Sequence, residues 1–387
     1  MIKIKRKKSN IIKSNNEIDV ILKKIVLENS LSDINNVNKI IKNIKKQKEW
    51  ETMIYLLFFK ACEYSKNKKV LSKIFSQIKK FNINILNNFR QTPLEVALGE
   101  LHKIAVEFLI ENDADIELNI LDKKINLIIS FLRNQKLYID HNTKNNNDKN
   151  KRINEIINIL KVFVKNYYYL NIYEEYRDTT ALLYAIMLRN KKLVQFLIEE
   201  GGADVNLGNS NNVTPILYCG QHGDFNTFKY LVKTEKSFDI TSTNDTNRKN
   251  ILHYILKNES IEDAYKMIEF LITNRKNTFS NKINDKNKNG ETPIYNILNW
   301  DNFTNNHKKL LSILINNGLD ISIDENAFIK ALDAKIEELK KEINNDKLNL
   351  EEQFFDKNDK IEIEISIEEK NKKINALTSI KKFLVKN

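Results

Sequence analysis

Apolar residues recur at three- and four-residue spacing in short bursts along most of this chain, and the bursts come in pairs. "LLYAIML" is followed by "LVQFLIEE", and "PILYCG" by "FKYLV", each pair split by a brief polar break. That spacing puts the apolar side chains on one face of a helix. The pattern therefore predicts a short helix, a tight connection, a second helix and a polar turn, many times over. Before the paired bursts, "EIDVILKKIVLEN" and "VNKIIKNIKKQKEW" read as amphipathic helices within residues 17–48. After them, "AFIKALDAKIEELKKEI" and "INALTSIKKFLVKN" read as two longer helices. The longest apolar run, Met53–Phe59, is far shorter than a bilayer span requires.

Punctuation falls at matching places in the pairs. The chain has 3 prolines, and each follows a threonine, in Thr92-Pro93, Thr214-Pro215 and Thr292-Pro293. Threonine before proline is a helix N-cap followed by its first residue: the hydroxyl accepts an otherwise orphaned N–H, and proline's fixed φ suits the first turn. Thr92 with Glu95 also spells a capping box. An Asp-Ile or Asp-Val ends each unit, at Asp115, Asp204, Asp239 and Asp320. Gly201 and Gly318 stand just after second helices, where a left-handed residue is expected. Thr180-Ala181-Leu182 and Asn250-Ile251-Leu252 are openings that lack the proline. The anchors at 180, 214, 250 and 292 lie 34, 36 and 42 residues apart.

A unit of about 33 residues built as turn, helix, helix resembles the ankyrin repeat. "GGADVNL" matches that family's Gly-Ala-Asp-Val-Asn ending, and "NGETPIY" its Gly-x-Thr-Pro-Leu-His opening. There are departures: Tyr295 and Tyr184 replace the histidine kept at His253, and the glycine before Thr-Pro survives only at Gly290. Two weaker units complete the array. One is anchored at Thr52 and ends at Asn82-Ile83-Asn84; the other has Ile125–Arg133 and Ile153–Asn166 as helices, with "NTKNNNDKN" as a loop between them. The expected architecture is all-α, a solenoid of about seven stacked repeats with helical extensions at both ends. Its expected divisions are a basic tail with capping helices over 1–48, repeats over 49–325, and a helical cap or coiled-coil-like segment over 326–387. Ala327-Phe328 would open a final, capping repeat.

Charge adds one feature. The net charge is +12, and residues 1–50 alone carry 13 Lys/Arg against 5 Asp/Glu, led by Lys3–Lys8. Such a run could contact nucleic acid or an acidic membrane, or serve as a nuclear address. The 2 cysteines, Cys62 and Cys219, form no framework and suit a reducing compartment. No apolar core follows the basic N-terminus, so a secretory leader is not expected. The expected location is intracellular, cytoplasmic rather than nuclear.

No constellation for catalysis is legible: the sequence has no HExxH, CxxC or GxSxG, and "GGADVNLGN" is accounted for as a repeat ending. His102, His222 and His253 are expected to be structural or solvent-exposed, and Cys219 to be a buried thiol. Neither cofactor nor metal is expected, and the chain is read as non-enzymatic. The resemblance implies instead a protein-interaction scaffold or adaptor, with contacts just before each anchor and at the end of each first helix. Carried onto this sequence, that gives Phe89, Tyr176, Arg177, Met187, Leu188, Gln221, His222, Lys249, Glu291 and Trp300 as partner-binding candidates. The partner is an unidentified protein and the chain is expected to be a monomer, with pairing of its C-terminal helix as a possible addition. Nucleic-acid or acidic-membrane association through the basic tail is the alternative function.

Overall fold

In the computed structural model, the described residues are 33–47, 49–120, 123–143, 145–166, 168–234, 245–258, 260–299, 303–320, 325–351 and 357–386. The basic run Lys3–Lys8, the helix expected over 17–29, Asp239 and Trp300 lie outside them. The architecture is that of an all-α repeat solenoid, and the chain divides into two compact units, residues 1–185 with 192–204 and residues 186–191 with 205–387.

The first unit opens on α1 (Ile34–Ile44), whose start is fixed by Asp33 accepting the Asn35 N–H at 2.9 Å. Val37, Ile40, Ile41 and Ile44 form its buried stripe. Helices α2 (Trp50–Tyr64) and α3 (Lys68–Phe75) form the first paired unit, and α4 (Pro93–Gly99) and α5 (Lys103–Glu111) the second. Phe58, Phe75, Phe81 and Phe108 fuse the two pairs into one core. Phe58 meets Phe81 at 4.8 Å, and Phe75 meets Phe81 at 4.9 Å and Phe108 at 5.6 Å between ring centroids. Their tilted and edge-on arrangements are those aromatic quadrupoles favour.

An antiparallel hairpin of β1 (Glu117–Ile120) and β2 (Lys123–Asn126) then leads to α6 (Leu127–Asn142) and α7 (Asn146–Lys165). Here the structure differs from the sequence reading, which began the first helix at Ile125 and left "NTKNNNDKN" as a loop. Asn126 caps α6 by accepting from Ile128 N–H, and the polar run belongs mostly to the first turns of α7. Asn145 starts that helix by accepting the Asp148 N–H at 2.9 Å, and Asp148 puts a carboxylate at its positive end. A second small hairpin pairs β3 (Tyr173–Glu174) with β4 (Thr179–Thr180) around a 3₁₀ turn at Glu175–Arg177. Helices α8 (Ala181–Met187) and α9 (Lys191–Glu199) follow.

The second unit holds α10 (Pro215–His222) with α11 (Phe225–Thr234), and α12 (Ile251–Ile255) with α13 (Ile261–Lys282). The next first helix, Pro293–Asn299, is 3₁₀ rather than α, and α14 (Asn305–Asn316) completes that repeat. Asn296 is buried there and donates its amide to the Pro293 carbonyl at 2.9 Å, a side-chain bond that competes with the α ladder. The C-terminal pair is α15 (Glu325–Glu351) and α16 (Lys357–Lys386), which run antiparallel along each other. Phe328, Leu332, Ile336, Leu339 and Ile343 face Ala376, Leu377, Ile380 and Leu384 across a buried seam. Lys381 pairs with Asp333 at 2.7 Å and Lys370 with Asp346 at 2.7 Å. The C-terminal helix thus has its pairing partner within the chain. Phe328 packs edge-on against Tyr295 at 5.1 Å, joining the helical pair to the last 3₁₀ turn.

Candidate functional site

The polar turn before each first helix is built the same way in four places. A side-chain oxygen five residues ahead of the cap accepts two backbone N–H groups, two and four residues on. Asn87 takes Phe89 and Gln91, Asn209 takes Asn211 and Val213, Asp245 takes Asn247 and Lys249, and Asn287 takes Asn289 and Glu291, all between 2.8 and 3.2 Å. Short Asn and Asp side chains suit this because they reach their own downstream backbone. The residue two before the cap is left-handed each time: Arg90 (φ 60), Asn212 (φ 56), Arg248 (φ 59) and Gly290 (φ 79). Asp178 (φ 49) does the same in the β3–β4 turn. Glycine is missing from four of these five positions, yet the geometry is kept.

Caps behave less uniformly. The Thr92–Glu95 capping box forms as read: Glu95 N–H donates to Thr92 Oγ1 at 3.2 Å and Thr92 N–H to Glu95 Oε2 at 2.7 Å. Burial nonetheless raises the Glu95 pKa above its ordinary value, the two Thr92 bonds opposing that rise. Thr180 caps Leu183 N–H at 3.2 Å. Thr214 makes no cap bond, and its buried hydroxyl has no partner. At the other end of the repeats, positive φ falls on Asp113, Gly202 and Gly318. Gly202, not Gly201, is therefore the left-handed residue. Gly201 is required for closeness instead, since a Cβ there would lie 2.7 Å from the Leu197 carbonyl oxygen.

Neighbouring repeats in the second unit are tied tip to tip. Thr246 N–H donates to Asn211 O at 2.8 Å, and Lys288 N–H to Asn247 O at 2.9 Å. Repeat endings are tied as well: Asp115 N–H to Asn84 Oδ1 at 2.9 Å, Asp204 N–H to Asn171 Oδ1 at 3.0 Å, and Asp320 N–H to Asn284 Oδ1 at 3.0 Å. His253 bridges one helix start to the next turn. Its Nε2 donates to the Glu291 carbonyl at 3.2 Å, which leaves Nδ1 to accept the Asn250 N–H at 3.2 Å. Burial pushes its pKa down to about 4.

Between the tips of 209–213 and 245–249 lies a cleft of about 230 Å³. Gly220 lets α10 come close to α12 beneath it: a Cβ would lie 3.0 Å from Ile251 Cδ1. Buried Val213, Asp245, His253 and Tyr254 line the cleft from below, and Asp245 also accepts the Tyr254 hydroxyl at 2.7 Å. Burial, and then that bond, raise the tyrosine pKa. Its remaining lining is Asn211, Gln221, Asn247, Lys249 and Lys257. The Lys257 pKa is lowered, first by burial and then by the Lys249 ammonium beside it.

The residues expected to bind a partner are scattered differently from that expectation. Phe89 stands on its hairpin tip with 84% of its surface exposed. Gln221 and Lys249 meet in the cleft, and His222, next to Gln221, is stacked on Tyr218 at 4.6 Å. Glu291 is half-buried, its carboxylate accepting from Asn287 Nδ2 at 2.9 Å. Met187 is half-buried. Leu188, expected at the surface, is 2% exposed and offers nothing to a partner. Arg177 is used internally, held by Glu174 and by Ser130 Oγ at 3.3 Å. The Tyr176 backbone belongs to the 3₁₀ turn. Asn211, Asn247 and Lys257, which share the cleft with Gln221 and Lys249, are not among the candidates drawn from the sequence. The buried floor of Asp245 and Tyr254 was not legible, because it depends on a turn folding back over a helix.

Cys62 and Cys219 are buried and unpaired, and burial raises both thiol pKa values, so neither is primed as a nucleophile. Among the described residues, no cluster of His, Cys, Asp or Glu could hold a metal ion, and no helix is long and apolar enough to cross a membrane.

Residues 150–244 match the family model for ankyrin repeats, in 3 copies. Among solved structures the chain is similar to the ankyrin repeat domain of Bcl-3, described there as a unique member of the IkappaB protein family. The sequences are 15% identical, the TM-score is 0.44, and the match covers 62% of this chain and 91% of that one. No curated protein matches the chain.

Proposed function

We propose that this chain, which contains ankyrin repeats, is a non-enzymatic scaffold or adaptor that binds a protein partner through its hairpin tips and the first helices behind them. The observation that carries the reading is the repeated tip geometry. Asn or Asp side chains lock four of the turns, and backbone bonds tie the successive tips of the second unit, so the side chains they carry are held in place before a partner arrives. Pre-ordering lowers the entropy that binding would otherwise cost. Phe89 fits such a role, since an aromatic ring left in water on a rigid turn gains most from being covered. On this reading residues 49–325 form the binding array, 1–48 its basic lead-in and 326–387 its helical cap. The two buried thiols suit a reducing compartment.

The test is affinity capture from the native cell with wild type and with Phe89→Ala combined with Gln221→Ala. Wild type should retain a defined partner that the double variant loses. Return of the same proteins at the same yield would overturn the reading.

A further inference from the structure

The cleft between the tips of 209–213 and 245–249 has a chemistry more specific than a general contact face. Two lysines, Lys249 and Lys257, lie together on its lining, and Lys249 acts on Lys257 more strongly than either nearby carboxylate, Glu291 or Asp245. Asp245 below them offsets their repulsion only in part. Its two oxygens are already taken by the Asn247 and Lys249 N–H groups at 2.8 Å each and by the Tyr254 hydroxyl at 2.7 Å. The two ammonium groups therefore repel each other, and Lys257 does so from a partly desolvated position. A bound anion would relieve both costs.

We propose that the Lys249–Lys257 cleft seats a carboxylate side chain from an acidic segment of the partner protein. This rests on the tip face being the partner-binding face, and it names the chemistry that face selects. The neutral amides of Asn211, Asn247 and Gln221 surround the two lysines and match the donors and acceptors of a peptide backbone. A nucleic-acid strand or an anionic membrane fits worse. The cleft of about 230 Å³ holds one side-chain-sized group between two turn tips, and the amides beside the lysines serve a peptide backbone rather than a run of phosphates.

A labelled oligoglutamate peptide and the full chain decide the matter by fluorescence anisotropy at low salt. The comparison is wild type, Lys249→Gln/Lys257→Gln, and Lys79→Gln/Lys80→Gln, which removes the same charge from an exposed site elsewhere. Removing the cleft pair should weaken binding about tenfold, and the control pair by less than about twofold. Thermal melts confirm that each variant is folded. Absence of wild-type binding, or an equal loss in both variants, overturns the proposal. So does duplex DNA or a phosphatidylserine vesicle that binds more tightly than the peptide and depends on the same two lysines. The outcomes separate from those of the scaffold reading. A captured partner lost with Phe89→Ala but kept with Lys249→Gln/Lys257→Gln would sink the acidic-segment proposal and leave the scaffold standing.

Discussion

At a turn tip, a single backbone torsion decides whether a side chain is affordable. Arg90, Asn212 and Arg248 adopt left-handed φ values that non-glycine residues reach only with strain of roughly 1 kcal/mol. Two hydrogen bonds to one upstream Asn or Asp hold them there. Replacing Arg90 with glycine should therefore stabilise the protein by about 0.5–1 kcal/mol, while Gly290→Ala should cost about 1 kcal/mol. Chemical denaturation of both variants checks this, and equal effects of one sign would refute it. The same scale explains a contrast between two caps that look alike in sequence. Thr92→Val removes a working capping box and should cost about 1–2 kcal/mol. Thr214→Val replaces a buried hydroxyl that has no partner, so it should be neutral or stabilise by up to about 1 kcal/mol. The Thr-Pro pair announced both helix starts. Only Glu95, three residues on, hinted which threonine would be bonded.

Helices and turns show which sequence signals carried over. Paired apolar bursts gave the helix pairs because burying one stripe needs only a 3.6-residue period, which is local information. Where the reading slipped, a side chain had spent a backbone group. Asn145 turned an expected loop into the start of α7, and Asn296 made the best-preserved repeat opening 3₁₀. Gln221 and Lys249 were legible as contact positions but not as parts of a cleft, since Lys249 and Lys257 come together only after the turn closes over α12. His253 is the element-level case with a measurable consequence. It is neutral in the fold, with its pKa lowered to about 4 from the ordinary 6.5, so the unfolded chain binds its proton first as pH falls. Its contribution is complete above about pH 6.5 and is lost as pH falls toward 4, by up to roughly 3 kcal/mol. His307, also lowered by burial, works in the same direction. Stability measured against pH should fall more steeply in that window for wild type than for His253→Gln, whose amide can still donate to Glu291. Parallel curves would show that the histidine does not titrate as its burial implies.

Across the whole molecule, stability in a repeat array is a sum of units and neighbour interfaces rather than one global core. Phe58 tests this, because it is fully buried where two helix pairs of the first unit meet, beside Phe75, Phe81 and Phe108. Phe58→Ala should cost about 3–5 kcal/mol, the usual range for emptying a well-packed aromatic site. In a single cooperative domain that loss would lower the protection of every slowly exchanging amide together. In an array, amides of α2, α3, α4 and α5 should exchange faster while those of α10 and α12 keep their protection, since each repeat draws its packing from the next one along. Hydrogen exchange followed by mass spectrometry separates the two results by peptide. A uniform loss would mean that the two compact units melt as one body. A local loss would mean that a partner bound at the cleft of the second unit does not depend on the aromatic core of the first.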